Sequence, residues 1–225
     1  MPSIKLLQKI RGLAPSGIIP QVSDTPIELG RYVVVDLELT GLSLQNDSII
    51  SIGAIKMDGL KIRLGDFFYR VIQTDRCQKE SILIHGITPS ESSLCPDIKT
   101  ILPEFLNYCS NRIMIGHFIS IDAGFINRDL RRLYRKNLEN PLIDTNKLYQ
   151  WLKKKRLNPD AFYQDTAEGK SLLEMAKELD IPVSGLHNAI YDAFITAQIF
   201  QRFLYMLKAE GLKTIGELLK IGGER

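Results

Sequence analysis

The stretch that most constrains this chain is residues 31–42, Arg-Tyr-Val-Val-Val-Asp-Leu-Glu-Leu-Thr-Gly-Leu. Its apolar, largely β-branched run, residues 32–35, predicts a strand buried on both faces. Two acids, Asp36 and Glu38, stand at the strand's C-terminal end, before Thr40-Gly41. Residues i and i+2 of a strand share a face, so both carboxylates project into one space. Like charges side by side are unfavourable unless something positive lies between them, and a divalent cation is the simplest candidate. An isolated Asp-x-Glu is more often a solvated pair on an edge strand, so the pair gains meaning only from distant residues that complete it.

The rest of the chain supplies a frame for that strand. Residues 49–57 and 60–71 predict two further strands around an Asp58-Gly59 hairpin signal, giving an antiparallel meander. Helices are predicted over 97–109, from Ser120 as N-cap to about 134, over 171–179, and from Asn188 to about 207. Short strands are predicted at 112–115 and 140–145, and 153–169 reads as a polar, irregular excursion. A meander followed by alternating helices and strands is an α/β fold with a mixed sheet. Residues 3–13 predict a small basic amphipathic helix. The expected organisation is a helix and linker at 1–30, a domain at 31–207, and a helical tail at 208–225 with a frayed Gly222-Gly223 end.

At 225 residues, 44% hydrophobic and 24% charged, the chain can bury a substantial core. No apolar run approaches the length of a membrane span. Cys77, Cys95 and Cys109 are odd in number and lack a Cys-x-x-Cys pair, which argues against a disulfide framework and fits a reducing, cytoplasmic setting. The net charge of +3 permits a nucleic-acid substrate without arguing for one. Basic clusters at 128–136 and 153–156 read either as a phosphate track or as solvated faces, and the modest net charge favours the second.

Two sites can complete the acid pair. Asp122 falls in the first turn of the helix that follows the buried strand at 112–115. In His187-Asn-Ala-Ile-Tyr-Asp192, Asn188 is a candidate N-cap, and with His187 in the loop before it, His187 and Asp192 can face one site. Negative groups are favoured near a helix N-terminus. The four carboxylates Asp36, Glu38, Asp122 and Asp192 would balance two Mg2+ or Mn2+ ions, which prefer hard oxygen ligands. A pair of such ions about 3.5–4 Å apart serves phosphodiester hydrolysis. Histidine titrates closest to neutral pH, which makes His187 the natural general base for the attacking water.

With these residues in hand, the sequence resembles the DEDDh group of 3′–5′ exonucleases, which includes the proofreading subunit of bacterial DNA polymerase III. The resemblance runs from Arg31 to Leu207, about four-fifths of the chain. It rests on Asp36-x-Glu38-x-Thr40-Gly41-Leu42, His85-Gly-Ile-Thr88, Gly116-His117 through Asp122, Asp144-Thr145, and His187-x-Ala189-x-x-Asp192. It implies a ribonuclease H-like fold with a five-stranded mixed sheet and helices on both faces, metal bound by the four carboxylates, and His187 as base. It also implies that Glu80 and His85 contact the terminal nucleotide and that Thr40, Gly41 and Leu42 hold its sugar and base. Phe118 and Ile121 stand where the group usually has Asn and Phe. An aromatic Phe118 would stack on the penultimate base where Asn would hydrogen-bond. The implied partner is a nucleic acid with a free 3′ end, most readily single-stranded DNA, with a DNA polymerase as a second implied partner. RNA trimming is a competing reading, because the acids and histidine do not identify the sugar. A non-catalytic polymerase accessory, recruited through the N-terminal helix or the C-terminal tail, is another, and the intact acids and histidine argue against it.

Overall fold

The computed structural model describes residues 23–74, 94–156, 169–183, 185 and 187–224. The predicted helix at 3–13, the Glu80 and His85 segment and most of the 153–169 excursion lie outside them.

Strand β1, Arg31–Leu39, is longer than its apolar core and takes both acids into the strand itself. Its alternation divides the interior in two. Tyr32 and Val34 enter one apolar layer with Phe200 and Phe203, while Val33, Val35 and Leu37 enter the other with Phe105, Phe125 and Ile126. Strands β2, Ile49–Asp58, and β3, Lys61–Val71, complete the expected antiparallel meander. Gly59 turns the hairpin at a φ of 56°, a left-handed conformation in which glycine is unstrained.

The remaining strands are β4, Ile113–Gly116, and β5, Leu142–Asp144, both parallel to β1. The five expected strands are therefore present, and a two-residue β6, Gly223–Glu224, adds a sixth in the order β3-β2-β1-β4-β5-β6. The tail is thus paired rather than frayed. Residues 223 and 224 bond to Ile143 and Leu142, and Gly222 fits because a Cβ there would lie 2.5 Å from Leu148 Cδ2.

Helices cover both faces. Helices α1, Ile98–Tyr108, and α2, Ile119–Tyr134, lie on the Val33 and Val35 side. Helices α3, Thr145–Arg156, α4, Leu172–Glu178, α5, Ala189–Ala209, and α6, Ile215–Gly222, lie on the other. Lys153, Lys154 and Lys155 continue α3 and are not part of an irregular excursion. The α2 start also differs from expectation. Phe118, not Ser120, is the N-cap, because the chain leaves β4 through a left-handed Phe118 and is already helical at Ile119. Most of the other starts follow side-chain chemistry: Asp97, Ser171, Asn188 and Thr214 each accept a backbone N–H three residues on.

Candidate active site

The acid pair sits where β1 outruns its parallel neighbour. Register pairs with β4 stop at Val34 and Ile115, so Asp36 and Glu38 extend past the carboxyl end of β4 with only β2 alongside. Ligands of open α/β sheets bind beyond strand ends of this kind. Asp36 is paired with Gly53 of β2. A Cβ at Gly53 would stand 2.2 Å from the carbonyl of Ala189 and 2.3 Å from the nitrogen of Ile190, so the first turn of α5 rests directly on the β2 backbone. That close approach delivers Asp192. Oxygens of Asp36, Glu38 and Asp192 all fall within 4.8 Å of one another.

His187 is exposed and lies just before the Asn188 cap, as expected, at a left-handed φ of 75°. Its backbone N–H donates to Asp192 Oδ2 at 3.0 Å, which ties the histidine to the acid. The other oxygen, Asp192 Oδ1, is buried and accepts no hydrogen bond.

Asp122 arrives from the opposite layer. Its Oδ1 accepts the backbone N–H of Leu37 at 3.0 Å, a donor beyond the last pairing of β1 with β4. The α2 start that places it is held by Asp144, whose Oδ1 accepts the N–H groups of Phe118 at 3.3 Å and Asn146 at 2.7 Å. Beside it, His117 Nδ1 meets Thr145 Oγ1 at 3.0 Å, and burial pushes the His117 imidazole down to about 4, so it is neutral at physiological pH.

All four carboxylates are pushed upward, and burial is the largest cause in each. Asp36 is raised well above the usual carboxylate range by burial and then by the charges of Asp122, Asp192 and Glu38. Glu38 rises to about 7, with Asp192 the second cause. Asp122 rises to about 8 despite backbone hydrogen bonds that favour its charged form. Asp192 is raised by burial, against the His187 N–H and the His187 ring, which favour its carboxylate. A cluster that resists ionisation, offers only hard oxygens and leaves one buried acceptor unused fits a divalent cation.

The loop after β1 is tightly built. Asp47 accepts Thr40 Oγ1–H and the Ser43 N–H, each at 2.9 Å, and Ser48 N–H returns to Thr40 Oγ1 at 2.9 Å. Gly41 lies close against this carboxylate: a Cβ would stand 2.6 Å from Asp47 Oδ2. Leu42 and Ile121, which flank the acids in sequence, are exposed at 74% and 40% and offer apolar surface beside a charged site. Of the residues expected in the site, the structure brings together Asp36, Glu38 and Asp192, ties His187 to Asp192, and brings Asp122 onto β1. Thr40, Gly41, Leu42 and Phe118 border them in the chain. Sequence reasoning gave no role to Gly53, Asp47 or Asp144. Only Asp144, an acid ending a buried strand, carried a visible signal.

A mixed sheet with helices on both faces, and strand-end acids met by acids from the first turns of two helices, define a ribonuclease H-like exonuclease fold. The chain belongs to the exonuclease family RNase_T, whose model matches residues 33–200. It is 32% identical to the PolC-type DNA polymerase III of Thermotoga petrophila, over 87% of this chain but only 13% of that protein. It is 31% identical to the DNA polymerase III subunit epsilon of Aquifex aeolicus, covering 78% of this chain and 81% of that one. Among solved structures, the nuclease domain of 3′hExo, a DEDDh family member bound to rAMP, superposes with a TM-score of 0.65 at 16% identity, covering 81% of this chain and 94% of that domain. Among the described residues no helix is long and apolar enough to cross a membrane.

Proposed function

We propose that the chain hydrolyses the terminal phosphodiester bond at the 3′ end of single-stranded DNA and releases nucleoside 5′-monophosphates. The observation that carries this reading is the convergence of Asp36, Glu38 and Asp192 oxygens within 4.8 Å, with Asp192 also holding the His187 backbone. Asp36, Glu38, Asp122 and Asp192 would hold two Mg2+ or Mn2+ ions, which would supply positive charge to the reacting phosphate. The His187 imidazole accepts a proton from water as that oxygen bonds to phosphorus, and the bond from phosphorus to the 3′ oxygen of the preceding nucleotide breaks, that oxygen leaving with the bonding pair and taking a proton from solvent to become the new 3′ hydroxyl. Thr40, Gly41 and Leu42 hold the terminal nucleotide, and Phe118 stacks on the base before it. Glu80 and His85, outside the described residues, are assigned terminal-nucleotide contacts by their motif positions. DNA as substrate, and a DNA polymerase as partner in a cytoplasmic setting, draw support from the polymerase III relatives.

The test is a paired assay on 5′-labelled single-stranded DNA and RNA of one sequence, with Mg2+, Mn2+ or chelator. A ladder shortening from the 3′ end of DNA only with metal, and lost in Asp192→Ala with the fold retained, is the expected result. Preference for RNA would move the reading to RNA trimming. No cleavage of either polymer, with strand binding intact, would replace it with a binding module.

A further inference from the structure

Arg128 belongs to the run 128–136 that could be taken for a phosphate track, yet its guanidinium is committed inside the protein. Nη1 donates to the carbonyl oxygens of Leu44, at 2.9 Å, and Asp47. Nε and Nη2 meet both oxygens of Asp129, at 3.3 and 2.8 Å. Asp129 itself is buried and is braced on its other side by Arg132 Nη2 at 3.0 Å. The guanidinium also lies over the Phe125 ring, 4.8 Å from its centroid. The Arg128 side chain is 26% exposed, against 62% for Arg132, so only the second is free to meet solvent or a phosphate over most of its length.

The two carbonyls Arg128 holds belong to the loop after β1. That loop is closed internally by Asp47 through Thr40 and Ser43, and at its neck by the Thr40 N–H to the Ser48 carbonyl at 3.0 Å. Arg128 bonds that loop to α2, the same helix that carries Asp122 onto the Leu37 N–H. One helix therefore grips β1 at an acid and the following loop at two carbonyls.

We propose that Arg128 is a positioning residue that fixes the 40–48 loop relative to the acids, and that it does not contact the nucleic-acid backbone. The functional consequence rests on the reading above, in which Thr40, Gly41 and Leu42 hold the terminal nucleotide. A planar fork bonding two carbonyls and a carboxylate at once is a task for arginine that lysine cannot reproduce.

The test compares Arg128→Ala and Arg128→Lys with wild type by steady-state cleavage of a single-stranded oligonucleotide at several salt concentrations, and by amide hydrogen exchange of the loop. Both variants are expected to raise KM about ten-fold with kcat within about three-fold. The slope of log KM against log salt stays at the wild-type value, and exchange quickens at Ser43, Asp47 and Ser48. A phosphate contact gives the opposite pattern: a slope lower by about 0.7, as for one lost contact to a single strand, and full restoration by lysine. That pattern, or unchanged loop exchange in either variant, overturns the proposal. Exchange needs no activity, so a wild-type protein that cleaves nothing would sink the exonuclease reading while the clamp is still decided. Should Arg128→Ala fail to fold, Arg128→Lys with the charge retained carries the same readouts.

Discussion

Glu38→Gln should make the metal-free protein more stable while removing its activity. Glu38 is 9% exposed, and burial followed by the Asp192 charge raises its carboxyl from 4.5 to about 7. A group whose folded value lies above its unfolded one favours the folded state at low pH and loses that advantage as pH rises through the folded value. At pH 8 the folded protein must ionise Glu38 in a place that disfavours the charge. The rise to about 7 corresponds to about 3 kcal/mol at pH 8 and under about 1 kcal/mol at pH 5, where the unfolded carboxyl is only partly ionised. Glutamine keeps the shape and never ionises. Asp36 and Asp122 also feel the Glu38 charge, and relief at both acts in the same sense. The buried His117 opposes stability at low pH, but equally in both proteins, so it drops out of the difference. Thermal unfolding in chelator should show the variant melting roughly 6–12 °C higher at pH 8, with only a small gain at pH 5. With saturating Mg2+ the wild type should recover most of the gap, since bound cation offsets the repulsion. A variant equal to or less stable than wild type at pH 8 in chelator would refute burial and repulsion as the source of the shift.

Two further outcomes follow from the same geometry. His187→Ala should lower kcat by about 10²–10⁴-fold while the Mg2+-induced rise in melting temperature persists, because the main-chain N–H that holds Asp192 survives the substitution; loss of the metal-induced rise would make the histidine a structural or ligating group instead. Gly53→Ala places a Cβ 2.2 Å from the Ala189 carbonyl, which should destabilise the protein by about 3 kcal/mol in urea titration and reduce cleavage well below the unfolding transition. Wild-type stability for that variant would mean that α5 does not rest on β2 as described.

The framework of the site was legible because its elements announce themselves locally. The run at 32–35, the Asp58-Gly59 hairpin and the Asn188 cap are short-range signals, and each appears at the predicted place. Where the sequence misled, tertiary contacts had overruled local chemistry. Ser120 is a good cap by composition, but Asp144, from the neighbouring strand, captures the Phe118 N–H and starts the helix two residues earlier. Gly222-Gly223 looks like a frayed end, yet the glycines let α6 close on Leu148 and turn into β6. Arg128 looked like surface charge because nothing nearby in sequence reveals that the 40–48 loop, more than eighty positions away, offers it two carbonyls.

Tertiary contacts also fix the two helix starts at the site. Both helices that deliver an acid are preceded by a non-glycine residue in the left-handed region, Phe118 before Asp122 and His187 before Asp192. Each such residue costs about 1–2 kcal/mol and persists only where its surroundings fix it. Here a buried carboxylate does the fixing in each case. Asp144 takes the Phe118 N–H, and Asp192 takes the His187 N–H. The two cases differ in consequence. Asp144 holds a turn without sharing the three-carboxylate cluster, whereas Asp192 belongs to that cluster and also fixes the backbone of the proposed base. Removing Asp36 should therefore leave His187 in place, while removing Asp192 releases it as well. Amide exchange at His187, unchanged in Asp36→Ala and faster in Asp192→Ala, would separate the two roles; equal exchange in both would mean that the loop, and not the acid, holds the histidine.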